Sequence, residues 1–435
     1  MPTDSDLIPI VMSGRSRKVL GLNMNLWRLA LVTGVAQFAM SLWGWEFSIF
    51  LEFEVGLLKW QIGSALSIGT LAMIFGFMAS GIIADLIGRK NTMVISFIPM
   101  AVGLMGMWLN PIWPFVAIEY GIVYFGWASI LVVTTAIPAD EIEVDGGANS
   151  ARTFTMVLLP AFLVDGFSPV LAGLLLDNGY SASFLHLIAS VGATVALLAT
   201  FAFVKESLDK EIIKKARKGS IITVRGLGRN FWKFVFGIAG FVFFMRSAVP
   251  YLGNLVVGEM GLSSSQYAYS WAFYSIASAF LLYFAGTLAD RNVKVAQIVA
   301  LLGNGIIVLA FSIVQGFWPL VSLQVLWALP IALWIGAENT IVSGSVSEEK
   351  KGRALGTYRY ATSMAGFFAF SFGAYIWEIS DNLRFLFQFA GIGTLLFIIV
   401  MALILRSIVL PDRQKGQEGL LKANTDTLNE EHETM

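Results

Sequence analysis

Twelve separate runs of mostly apolar residues dominate this chain of 435 residues. Each is close to the roughly 20 residues that an α-helix needs to cross about 30 Å of hydrocarbon. They are Leu26 to Phe50, Ile62 to Ala84, Thr92 to Leu109, Trp113 to Pro138, Thr153 to Leu176, Phe184 to Val204, Phe231 to Val257, Tyr267 to Ala289, Val295 to Val314, Trp318 to Ile341, Leu355 to Trp377 and Phe385 to Leu405. A backbone in lipid must satisfy its own hydrogen bonds, so runs of this length predict helices. The expected fold class is an all-α integral membrane protein with twelve transmembrane helices in two pseudo-symmetric six-helix bundles.

Composition removes the soluble alternatives. Hydrophobic residues make up 57% of the chain and charged residues 13%, where a soluble domain carries roughly 25% charged. Lys+Arg and Asp+Glu both total 29, so there is no basic excess to hold nucleic acid. There is no cysteine and there are two histidines, His186 and His432. Disulfides, iron–sulfur clusters and thiolate metal sites are excluded, and no metal or other cofactor is expected. Residues 1–25 are polar with no cleavable small-residue site, so the first run is expected to be retained rather than removed as a signal peptide.

Sidedness follows from the basic residues. Of 29 Lys and Arg, Arg246 and Arg359 lie inside helices and Lys59 and Arg384 in outer loops, which leaves 25 for the inner segments if the N-terminus is cytoplasmic. Both termini are expected inside a cell membrane, and the number of spans is even.

The chain also repeats itself. At an offset of 205, Trp27 meets Trp232, Glu54 meets Glu259, Gln61 meets Gln266, Gly81 meets Gly286, Asp85 meets Asp290, and Trp113-Pro114 meets Trp318-Pro319. Later the register slips, and Phe184-Leu185 matches Phe385-Leu386. Six spans per half is even, so the halves enter the membrane from one side as a parallel repeat. This divides the chain into a cytoplasmic segment 1–25, an N-terminal bundle 26–204, a basic linker 205–230, a C-terminal bundle 231–410 and a polar tail 411–435. The linker reads as an amphipathic helix on anionic headgroups or as topology-setting charge alone.

Between the second and third runs stands Gly81-Ile82-Ile83-Ala84-Asp85-Leu86-Ile87-Gly88-Arg89-Lys90. It resembles the loop signature of the major facilitator superfamily, a glycine followed by Asp-Arg-x-Gly-Arg-[Lys/Arg]. A degenerate second copy runs through Gly286, Asp290 and Arg291. Leu86 departs from the usual arginine, and the second copy lacks the Gly-Arg pair. The resemblance implies that Gly81, Asp85, Gly88 and Arg89, with Asp290 and Arg291, latch the cytoplasmic side when the cavity opens outward. Gly81 is read as letting its helix approach a neighbour closely. Asp85 is read as facing a helix N-terminus or a cation across the seam between halves. A fainter likeness to the Gly-Pro-x-x-Gly-Gly element of facilitator antiporters runs from Asp165 to Gly173.

Six charges lie well inside predicted spans: Glu46, Glu119, Asp165, Arg246, Glu338 and Arg359. Each costs roughly 2.5–3.5 kcal/mol or more if it faces lipid near a helix centre, so each must face a cavity or a partner. The resemblance makes the third, sixth, ninth and twelfth helices outer supports, and all six charges fall on the others. Asp165 and Arg246 are nearest the midplane. Arg246 offers a fork suited to a carboxylate or phosphate, and Pro250 one turn later can break its helix. Arg246 and Asp165 could instead pair with each other. The expected substrate-contacting set is Arg246, Glu46, Asp165, Glu119, Trp43 and Asn254, with Asp165 or Glu46 carrying the proton. Glu141, Arg152, Glu338, Arg353 and Arg359 are expected to form an inner gate of ion pairs.

These features imply a secondary transporter that works by alternating access, proton-coupled and without ATP, since no Walker-type glycine loop is present. Arg246 favours a small organic anion. The carboxylates and aromatics favour efflux of amphipathic cations. A non-transporting membrane sensor is the alternative of a different class, and no cluster expected of an enzyme is present. The expected partners are the lipid bilayer, a small-molecule substrate and the proton, with no nucleic acid and a monomer as the working unit.

Overall fold

The structure is a computed structural model that describes residues 22–144, 150–207, 226–346 and 351–408, with the side chains of 142–155, 282–291, 343 and 351–353 set aside. The amphipathic reading of the linker and the polar tail therefore lie outside the described residues. Among those residues the long elements are all helices: α1 (Met24–Ser41), α2 (Lys59–Ile87), α3 (Arg89–Leu109), α4 (Phe115–Val144), α5 (Ser150–Asp177), α6 (Ala182–Phe203), α7 (Arg229–Ala248), α8 (Ser264–Arg291), α9 (Val293–Phe311), α10 (Phe317–Gly344), α11 (Lys351–Ser380) and α12 (Leu383–Ser407). Nine helices among the described residues are long and apolar enough to cross a membrane. α1, α8 and α11 fall outside that set. They carry Gln37, a serine-rich start and Arg359, respectively.

Packing sorts the helices into two rings. In the first, α2 packs on α4, α4 on α3, α3 on α6, α6 on α1 and α1 on α5. In the second, α8 packs on α10, α10 on α9, α9 on α12, α12 on α7 and α7 on α11. Adding six to each label of the first ring gives the second. The rings meet along two seams, α2 against α11 and α5 against α8. α3, α6, α9 and α12 pack only within their own ring among the principal contacts, which places them on the periphery.

The first run is not one helix. α1 stops at Ser41, Leu42–Glu46 turns, and a short helix Phe47–Ile49 leads into a wide π-turn, Phe50–Glu54. α7 breaks at the matching place, through a tight turn Val249–Tyr251 and a short helix Leu252–Asn254, into the π-turn Leu255–Glu259. The two π-turns stand 205 residues apart. Pro250 accounts for the second break. The first rests on Gly44, where a Cβ would stand 2.9 Å from the Met40 carbonyl oxygen.

Each π-turn ends on a glutamate that holds a peripheral helix. Glu54 accepts hydrogen bonds from the backbone N–H of Ala182 at 2.8 Å and of Ser183 at 3.0 Å, at the N-terminus of α6. Glu259 accepts from the Leu383 N–H at the N-terminus of α12 and pairs with Arg384 at 3.6 Å. A carboxylate there satisfies donors that have no intrahelical partner and meets the positive end of the helix dipole.

Candidate functional site

The two ends of the molecule differ. At the end bearing α1's N-terminus the linker begins, and Lys205 donates its N–H to Asn25 at 2.8 Å. At the far end the two rings are stitched together. Ser48 Oγ donates to Pro250 O at 2.8 Å, and Asn254 Nδ2 donates to Ser48 O at 2.9 Å and to Glu52 Oε2 at 2.7 Å. Ser67 Oγ donates to Phe367 O at 2.8 Å and lies 2.9 Å from Ser371 Oγ. Tyr269 OH donates to Asp177 Oδ2 at 2.7 Å. Lys59 bonds Asp381 and lies over the Trp377 ring at 5.3 Å. The Lys59 ammonium holds the Asp381 carboxyl below the usual carboxylate range. By residue count these contacts lie within about 20 Å of the far end, at roughly 1.5 Å per residue, on helices more than 40 Å long.

Glycines make this closure possible. A Cβ at Gly63 would fall inside the radius of Ala374 Cβ and 3.0 Å from Phe370 O across the seam. Gly81, near the other end of α2, has nothing within 4 Å of its Cβ position, and neither has Gly356 on α11. The close approach expected of Gly81 is therefore absent in this state. The antiparallel register set by Gly63 opposite Ala374 places Gly81 opposite Gly356.

The loop signature is held from within its own half. Arg89 Nη1 pairs with Asp85 at 2.9 Å, one turn back, and Arg89 Nε lies 3.5 Å from Asp140. Asp85 thus meets the neighbouring arginine rather than a cation across the seam. Gly88 has φ 97, and its missing Cβ leaves room for the Glu206 carboxylate. That carboxylate accepts the N–H of Arg89 at 2.7 Å and of Lys90 at 3.1 Å, capping α3 from the start of the linker. Glu141 accepts from Asn23 and, at 2.6 Å, from Asn25, so it ties the start of α1 to α4. Glu338 pairs with Arg359 at 3.1 Å and accepts the Tyr358 hydroxyl, all within the second ring. The side chains of Arg152, Arg353, Asp290 and Arg291 lie outside those described.

The candidate substrate residues separate. Trp43 is buried against Phe47, Tyr120 and His186. It sits inside the first ring because the chain turns at Leu42–Glu46. Glu46, in that turn, is also buried. Asn254 is fully buried in the far-end closure. Glu119 sits against Gly106 of α3, where its Oε1 lies 2.5 Å from the Cβ position, so it faces a peripheral helix.

Asp165 and Arg246 remain, both half-buried. They make no ion pair with each other; the pairing expected as an alternative does not form. Asp165 Oδ1 accepts from Gln37 Nε2 at 2.8 Å and from Ser41 Oγ, and Oδ2 accepts from Ser275 Oγ at 3.3 Å across the α5–α8 seam. Arg246 has Tyr124, Tyr358, Glu338 and Arg359 as electrostatic neighbours, yet forms no ion pair within 4 Å among the described residues. Its Nη1 lies 2.5 Å from the Cβ position of Gly366 on α11. A side chain at that position would displace the guanidinium.

Sequence reasoning missed Glu206, the capping roles of Glu54 and Glu259, and Gly366. The last two kinds were within reach. Glu54 and Glu259 already marked the repeat, and the slipped offset of 201 carries Asp165 onto Gly366.

Two like-ordered helical rings meeting around half-buried charges define a carrier of the two-half membrane type. The chain belongs to the Major Facilitator Superfamily, whose family profile matches residues 29–308 and 236–429. It is a multi-pass membrane protein of this transporter family. The enterobactin exporter EntS of Shigella flexneri is 22% identical over 302 residues, covering 68% of this chain and 70% of that protein. The enterobactin exporter EntS of Escherichia coli O81 (strain ED1a) is 23% identical over 304 residues, with 68% and 70% covered. Among solved structures, the nucleoside transporter NupG superposes with a TM-score of 0.71 at 14% identity, covering 88% of this chain and 100% of that one. A POT family transporter in complex with a thioalcohol-conjugated peptide gives 0.72 at 11%, covering 88% and 96%. These likenesses establish the fold.

Proposed function

We propose that the protein is a secondary active transporter that moves a small organic solute bearing an anionic group by alternating access between its two rings. The observation that carries this reading is Arg246, a half-buried guanidinium of the second ring that has Tyr124 of the first ring as a neighbour and no ion-pair partner among the described residues. An arginine at membrane depth is costly and marks a functional partner by default. A carboxylate or phosphate on the solute meets its fork. In this reading all twelve helices cross the membrane. α1, α8 and α11 are more polar because they face the solute path. The 25 basic residues of the inner segments put both termini in the cytoplasm. The stitched far end is then the closed outer side, and the structure is the inward-facing state.

Proton coupling is part of the proposal, with Glu46 as carrier. Glu46 is buried with no hydrogen-bond partner for its carboxyl among the described residues, whereas Asp165 has three donors. Export is the direction favoured by the similarity to the enterobactin exporters.

Proteoliposomes loaded with a pH-sensitive dye test this reading. A panel of mono- and dicarboxylates is added outside, and solute-driven proton movement is followed. At least one carboxylate is expected to move protons in the wild type. Arg246→Lys is expected to lose most of that flux, because an ammonium cannot reproduce the bidentate contact, and Glu46→Gln to uncouple it. Flux unchanged in Arg246→Lys and Arg246→Gln would remove the residue from the site.

A further inference from the structure

The repeat that relates the two rings also relates their unpaired charges. At the offset of 205, Ser41 on α1 corresponds to Arg246 on α7. At the offset of 201, which holds later in each half, Asp165 on α5 corresponds to Gly366 on α11. The structure joins the same positions in both rings. Ser41 Oγ donates to Asp165, and Arg246 Nη1 lies at the vacant Cβ position of Gly366. One geometric slot is thus filled in opposite ways. In the first ring the long, charged member is the aspartate and its neighbour is a small hydroxyl. In the second the long, charged member is the arginine and its neighbour has no side chain at all.

Depth agrees. Asp165 stands 15 residues into α5, and Arg246 stands 17 residues into α7. At roughly 1.5 Å per residue both lie about 23–26 Å from the end that bears the N-termini of α5 and α7. Both are half-buried rather than sealed. Asp165 is held by neutral donors alone, Gln37, Ser41 and Ser275, so its negative charge has no counter-ion among the described residues. Arg246 has none either. Its nearby carboxylate, Glu338, is committed to Arg359 and to the Tyr358 hydroxyl. Each ring thus carries, at matching depth, one charged side chain with no counter-ion among the described residues, an aspartate in the first and an arginine in the second.

We propose that the transported solute is a zwitterion, whose ammonium group meets Asp165 in one ring and whose carboxylate or phosphate meets Arg246 in the other. The assignment rests on the proposed reading of the space between the rings as the solute site. A solute with both charges neutralises both poles in one binding event, whereas an anion alone leaves the aspartate unpaired. Because the poles belong to different rings, such a solute also draws the rings together, which gives it the differential affinity for the closed arrangement that a conformational change requires.

The test uses the full chain purified in detergent and its thermal unfolding, since a ligand that binds only the folded state raises the unfolding temperature. The probes are the protein amino acids, dialanine, trialanine and phosphoethanolamine, together with the N-acetyl and methyl ester forms of the amino acids and peptides. A zwitterion is expected to stabilise the wild type, and its N-acetyl and ester forms to bind roughly 10- to 100-fold more weakly, the worth of one charge-assisted contact. Asp165→Asn, which keeps the shape of the site, is expected to bring the zwitterion down to the level of its N-acetyl form and to leave the N-acetyl form unchanged. Arg246→Gln is expected to bring it down to the level of the ester. The proposal is overturned if N-acetyl forms bind the wild type as tightly as their parents, if Asp165→Asn leaves zwitterion affinity unchanged, or if no zwitterion of the panel stabilises the protein. The comparison of parent and derivative on wild type holds even where a variant does not fold. Binding of N-acetyl anions that is lost in Arg246→Gln keeps the organic-anion reading while the zwitterion fails; anion binding indifferent to Arg246→Gln overturns that reading itself.

Discussion

Adding a single methyl group at Gly63 should open the far end of the molecule. A Cβ there meets Ala374 Cβ at well under contact distance, Phe370 O at 3.0 Å and the Tyr251 hydroxyl at 3.1 Å. The first two are on α11 and neither is the tip of a flexible chain, so α2 and α11 must separate by about 1 Å to reach ordinary contact near 3.5–4.0 Å. That movement takes the Ser67 bonds, now 2.8 Å to Phe367 O and 2.9 Å to Ser371 Oγ, past useful length. At about 1 kcal/mol each, losing them shifts the balance between closed and open far ends by about 2 kcal/mol, or roughly 30-fold. The chain has no cysteine, so Ser48→Cys, buried in the far-end closure and outside the two bonds just counted, is a clean reporter for a membrane-impermeant maleimide. Its labelling should speed up by about that factor in Gly63→Ala. Gly192→Ala is the control, because its Cβ would meet nothing closer than 3.5 Å. Equal labelling in the Gly63→Ala and parent backgrounds would refute the reasoning that this glycine permits closure.

Gly81→Leu should act in the opposite sense. Gly81 and Gly356 face open space now and come opposite each other in the α2–α11 register, so a bulky side chain should block closure of the terminus end and leave stability of the present state unchanged, as read by thermal unfolding. Glu206→Ala removes the acceptor for two N–H groups at the start of α3 and should cost about 1–2 kcal/mol, the worth of a helix cap, seen as a lower unfolding temperature. The Lys59–Asp381 contact should depend on pH in one direction. Its carboxyl titrates below the ordinary aspartate value, so the contact persists above about pH 4 and weakens as pH falls through the lowered value; a spin-label distance across the far end, from Asn178 to Glu378, should be flat at neutral pH and lengthen only in acid.

Much of this architecture was legible because lipid imposes a simple rule. A helix that crosses hydrocarbon must be long and apolar, and the repeat survived at Glu54 and Glu259, where the same capping task recurs in each half. The breaks were only half legible: Pro250 announces one, while Gly44 between two tryptophans does not announce the other. Side-chain direction was not legible at all. Glu119 shares α4 with Tyr124, a neighbour of Arg246 in the other ring, yet a small rotation about the helix axis turns it towards Gly106 of α3. Trp43 read as lining a cavity, but the turn after Ser41 rotates it into the ring core. Partnering was similarly hidden. Asp85 finds Arg89 one turn away because the end of the molecule that would bring it a partner across the seam stands apart in this state.

The central claim is that the two rings rock against each other, so that one end opens as the other closes. Spin labels at Asn178 and Glu378 report the far end, and labels at Asn91 and Val295 report the other; all four positions are exposed. Distances from electron–electron double resonance, measured in lipid nanodiscs for the parent and for Gly63→Leu, test the claim directly. Rocking predicts that the far-end distance lengthens and the terminus-end distance shortens in the same variant. A far end that opens while the other pair keeps its distance would contradict it.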